Sequence, residues 1–135
     1  MPTRSIYRQM GEAPSSTLEL PAASNLSGHR LVVIERTRRV NYADNLNLTH
    51  PGRIIGLTLG AASVGELALI QRAGKVVEPS WSWIPSRSLW LGASGTLTQA
   101  KPTAGFLLVV GVALGSSAIL MANIQSAHVT YLFDG

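Results

Sequence analysis

Apolar residues in this chain fall into short runs separated by turn-forming residues, with one run much longer than the others. Residues 106–125, FLLVVGVALGSSAILMANIQ, form its most apolar stretch, and no charge interrupts the sequence between Lys101 and Asp134. Residues 104–124 have the length of a bilayer-spanning helix, and Gly111 with Gly115 gives the small-residue spacing at which membrane helices approach. Against that alternative, Gly115-Ser116-Ser117 breaks the run with a turn cluster, so the segments on either side read as the two limbs of a β-hairpin. No cationic flank follows to orient a span.

The deciding pattern is a repeat. Ile54-Ile55-Gly56-Leu57-Thr58-Leu59-Gly60 aligns with Val109-Val110-Gly111-Val112-Ala113-Leu114-Gly115 at an offset of 55. After a loop one residue shorter, Ile70-Gln71 and Ala73 align with Ile124-Gln125 and Ala127. The first copy carries Glu66 and Arg72, which lipid would penalise heavily. Both copies are therefore expected as β-hairpins folded against each other, with their apolar faces out of water and lipid alike.

The rest of the chain follows the same grammar. Residues 31–35 and 39–43 flank Arg36-Thr37-Arg38 as a hairpin, and residues 44–52 form a loop rich in Asn, Asp, Pro and Gly. Residues 75–78, a hairpin around Ala93-Ser94, and residues 129–133 supply further strands. That makes eight to ten short strands and no amphipathic helix, which predicts an all-β fold, either a small β-barrel or a jelly-roll-like sandwich. Residues 1–28 hold Pro2, Pro14 and Pro21 with no sustained period. They are expected as an extended N-terminal arm with a short strand at residues 17–20, preceding a β domain over residues 29–135. Ile6, Tyr7 and Met10 are its apolar anchors, and Tyr7 stands between Arg4 and Arg8.

Composition narrows the function. The 135 residues include 13 Gly and 7 Pro but no Cys, so neither disulfides nor thiolate metal sites are available. The first residues lack the apolar core of a secretory signal, and synthesis in the cytoplasm is expected. Net charge is +4, but only Arg36, Arg38 and Arg39 cluster, which suits a solvated hairpin tip better than a nucleic-acid stripe. His29, His50 and His128 show no metal-ligand spacing, and the seven carboxylates are scattered. Gly92-Ala93-Ser94-Gly95 lacks the lysine and helix of a phosphate loop, and Gly115-Ser116-Ser117 lacks the setting of a nucleophile elbow. No enzyme, metal or cofactor is expected. Trp81 and Trp83, two apart in an extended segment, project to one face, either as core-edge packing or as a partner anchor.

His50-Pro51-Gly52-Arg53-Ile54-Ile55-Gly56, Val64-Gly65-Glu66 and Pro79-Ser80-Trp81-Ser82-Trp83 are followed by Leu89-Trp90-Leu91-Gly92-Ala93-Ser94-Gly95-Thr96-Leu97-Thr98-Gln99. With Pro102-Thr103-Ala104-Gly105-Phe106 and Val110-Gly111-Val112-Ala113, this order resembles the capsid cement or decoration proteins of tailed bacteriophages, over residues from about 50 to 125. The resemblance implies a compact β-barrel or jelly-roll domain that oligomerises and binds the major capsid protein lattice on the capsid exterior; a dimer at a local two-fold, or another homo-oligomer, is expected. Arg4, Ile6, Tyr7, Arg8, Trp81 and Trp83 are the expected shell or subunit contacts, with Tyr131 and Phe133 as further candidates. Two alternatives stand beside it: a phage tail or fibre module binding a host receptor or glycan, and a small membrane protein using residues 104–124.

Overall fold

The computed structural model describes residues 16–132. Among these residues eleven strands form two antiparallel sheets. The first contains β1 (Thr17–Pro21), β2 (Leu31–Ile34), β3 (Val40–Tyr42), β4 (Ile54–Thr58) and β5 (Leu67–Gln71), in the order β1-β5-β4-β2-β3. The second contains β6 (Gly74–Val77), β7 (Ser88–Leu91), β8 (Leu97–Thr98), β9 (Phe106–Gly115) and β10 (Ala118–Met121), in the order β6-β10-β9-β7-β8. β11 (Val129–Tyr131) pairs with the first residues of β9. The fold is all-β, as expected. It is an open sandwich of two stacked sheets, because neither sheet closes on the other into a barrel. The long apolar run is the β9–β10 hairpin, and among the described residues no helix is long and apolar enough to cross a membrane.

The two strand orders are the same order with five added to each label, and the duplication reaches down to single residues. β2 lies on β4 as Leu31↔Leu57, Val32↔Gly56 and Val33↔Ile54, with Ile55 bulged. β7 lies on β9 as Ser88↔Val112, Leu89↔Gly111 and Trp90↔Val109, with Val110 bulged in the same place. His29 N–H donates to the Thr58 carbonyl, and Ser86 N–H donates to that of Ala113. Both donors have left-handed backbones, at φ 59 and 69. Arg38 and Gly95 likewise share a positive φ at the two hairpin tips. A bulge and a left-handed residue are specific local features, so their coincidence establishes a repeat of the whole five-stranded layer.

One part of the sequence alignment is overturned. Thr58 pairs with Ile70, and its counterpart Ala113 pairs with Ile119. Ile70-Gln71 therefore corresponds to Ile119-Leu120, and Ile124-Gln125 falls in a 3-10 turn instead. The cause is loop length: residues 59–66 join β4 to β5, whereas Ser116-Ser117 alone join β9 to β10.

The layers stack with the same side up. Leu31, Val33, Ile54 and Leu57 of the first sheet meet Val76, Leu89, Leu91, Val110, Ile119 and Met121 of the second in the main core. The other side of the first sheet carries Val32, Ile55, Ala68 and Ile70, with Leu18 and Ile34 at its margin. Ala22, Leu26 and Ala62 close over it, each at most 5% exposed. Residues 17–26, read in the sequence as the end of an arm, are thus integral to the first layer, through the β1–β5 pairing and the Leu26–Ala62 bridge. Thr58 is fully buried, its hydroxyl donating to the Ser27 carbonyl at 2.8 Å and accepting from Arg30 N–H at 3.0 Å. That satisfied pair fixes the turn presenting His29.

Candidate assembly surface

Because the layers stack in one direction, the second sheet has an outer face equivalent to the inner face of the first. By register, Ile54 corresponds to Val109, Leu57 to Val112, Val33 to Trp90 and Gln71 to Leu120. The first-sheet apolar residues of this set lie in the main core, while Val109 and Leu120 remain 41% and 46% exposed. Val77, opposite Ala118 at the β6 edge, is 54% exposed. Val112 and Trp90 are half-buried between them. Five strands about 4.8 Å apart and about five residues deep give the whole face a footprint of roughly 400 Å², on which Val77, Val109 and Leu120 are the exposed aliphatic groups. The expectation that both hairpins hide their apolar faces from water therefore fails for the second sheet.

Charge frames this face. Lys75, exposed at the β6 margin, lies across from Leu120. Lys101, beyond the β8 margin, holds its ammonium 5.6 Å from the centre of the Trp90 ring, a cation–π contact. The single carboxylate in residues 74–132 is Glu78. It lies away from this face, in a cleft of about 280 Å³ shared with His29, Arg30, Trp81 and Trp83.

That cleft collects the expected tryptophans. Their rings are 5.6 Å apart, and His29 meets Trp81 edge-on at 5.1 Å. Both pack on the main core, and the Trp83 indole N–H is buried without an acceptor. Gln99 braces the segment, accepting from Ile84 N–H and donating to the Ile84 carbonyl, each at 2.9 Å. Ser80 donates through its hydroxyl and its N–H to the Glu78 carboxylate, holding that group below its ordinary pKa. Tyr131 lies elsewhere, on β11, with its ring 6.5 Å from Phe106. Arg4, Ile6, Tyr7, Arg8 and Phe133 lie outside the described residues.

A second cleft, of about 310 Å³, is lined by Glu35, Asn41, Asp44, His50, Arg53 and Ser94 among others. His50 Nδ1 accepts from Asp44 N–H at 2.9 Å. Burial, and then the Arg53 charge, hold the His50 pKa below its ordinary 6.5. The native state thus resists a proton that the unfolded chain accepts. The resulting stability is present in full above pH 6.5 and is lost as pH falls from there through the lower native pKa. Urea midpoints should drop between pH 7.5 and 5.5 in the wild-type protein and drop less in His50→Gln. Equal drops in the two proteins would refute this assignment. Among the described residues no group of His, Asp and Glu is placed to hold a metal.

No protein-family model matches the chain, and no characterised protein is significantly similar to it in sequence. The outer face is not legible in the sequence because the bulges at Ile55 and Val110 decide which residues point where. Carrying the repeat from β4 and β9 to their neighbouring strands was the signal that would have found it.

Proposed function

We propose that this chain is a non-enzymatic structural protein of a tailed-bacteriophage particle, a cement or decoration protein that attaches to the major capsid protein lattice on the head exterior. The observation that carries this is the outer face of the second sheet, an apolar surface on a rigid double layer. The largest exposed apolar patch on a protein is often an interaction site. A protein that binds only the assembled shell stabilises that state by mass action, and symmetry multiplies modest contacts. A dimer at a local two-fold belongs to the same proposal and would be read by sedimentation.

Shells lacking this chain provide the test. Wild-type protein should pellet with them at a saturating stoichiometry near that of the coat protein. Val109→Asp combined with Leu120→Asp should weaken binding at least about tenfold, as loss of interface anchors does, with little change in melting temperature because both sites are exposed. Failure of the wild-type protein to pellet would overturn the proposal. The tail or fibre alternative draws on the Trp81–Trp83–His29 group, whose rings suit a sugar, and would appear as a few copies per particle.

A further inference from the structure

The repeat states what kind of surface the exposed face fits. In the first layer, the equivalents of Val109, Val112 and Trp90 are covered by a β-sheet presenting Val76, Leu89, Val110 and Ile119. The second layer repeats the same strand order and bulge, so its outer face offers a further sheet a matching relief. A second copy of this chain does not supply that sheet in the same stacking sense, because the corresponding face of its first layer is closed by Ala22, Leu26 and Ala62. Nor does a face-to-face pair about a two-fold suit the charges. A two-fold along the strands sets Lys75 towards Lys101 of the other copy, and one across the strands sets Lys75 against Lys75; like charges then meet at the margins.

We infer that this face docks an aliphatic β-sheet surface of another protein, flanked by carboxylates that meet Lys75 and Lys101, so that the partner takes the place of a third layer. The inference rests on the attachment role proposed above and names the partner's chemistry. Phosphate-rich partners fit less well, since the centre of the face is uncharged Val and Leu.

The test uses the full chain and shells lacking it. Lys75→Glu with Lys101→Glu should weaken pelleting at least about tenfold at low salt, and the wild-type affinity should fall as salt rises. Image reconstruction of decorated shells should show a sheet about 10 Å from β9. Wild-type binding that the double charge reversal leaves intact, or density for helix or nucleic acid on this face, would sink the inference and leave the attachment role standing. Wild-type protein that does not bind shells at all would remove both. A dimer in sedimentation that Val109→Asp dissociates would assign the face to a second copy. Amide protection of β7 and β9 in the isolated chain, lost on deleting residues 1–15, would assign it to the chain's own first segment. Either result would also overturn the inference.

Discussion

Gly111→Ala is expected to destabilise the protein by about 3 kcal/mol, the upper end for overpacking a tight site. A methyl group there would fall on the Leu120 carbonyl oxygen and against Met121 Cα, which are backbone atoms of β10 that a rotamer change cannot move aside. Gly56 occupies the equivalent place in the first layer, where a Cβ would meet the Gln71 carbonyl and Ile70 Cγ2. Gly56→Ala should therefore behave in the same way. Gly60 and Gly115, the other glycines of the repeated heptapeptide, have open space where a side chain would go. Alanine there should change stability by no more than about 0.5 kcal/mol. Urea unfolding followed by tryptophan fluorescence separates the two pairs, and equal effects at Gly111 and Gly115 would show that β9 and β10 are not so closely apposed.

Phe106→Ala should cost about 3–5 kcal/mol, as deletion of a buried aromatic does. Phe106 is fully buried, and its N–H donates to the Asn45 carbonyl at 2.9 Å, tying β9 to the loop after β3. β9 is longer than β4, and its extra residues 106–108 pair with β11, which has no counterpart in the first layer. The loss should therefore fall on a part of the fold unique to the second half. Phe106→Leu, which keeps most of the volume, should cost about 1 kcal/mol. If alanine were tolerated as well as leucine, β11 and the start of β9 would not be part of the core.

These glycines also mark how far the sequence could be read. Ile54–Gly60 and Val109–Gly115 stand out because both copies need the same small residue at the same close approach. The remaining strands of the duplicated layer give no such sign. Leu31-Val32-Val33 and Ser88-Leu89-Trp90 are equivalent in the fold, but the first triplet is covered on both faces and the second has a face towards water, so the two need different side chains. Thr58 and Ala113 differ for a similar reason, since only Thr58 has to hold the Ser27–Arg30 turn. The all-β class followed from turn spacing alone. The pairing of β5 and β10 did not, because the loops before them differ in length by six residues. Trp81 and Trp83 were legible as a pair on one face, but the approach of His29 depends on a left-handed backbone that no local motif announces.

The chain passes between the sheets once among the described strands, at Arg72-Ala73, so each sheet is assembled from a contiguous stretch of sequence. On a ribosome the residues of the first sheet emerge before those of the second. The earlier sheet is closed on one side by Ala22, Leu26 and Ala62, and its other side meets the later one in the main core. The later sheet has no such cover: among the described residues its outward side keeps Val77, Val109 and Leu120 in solvent.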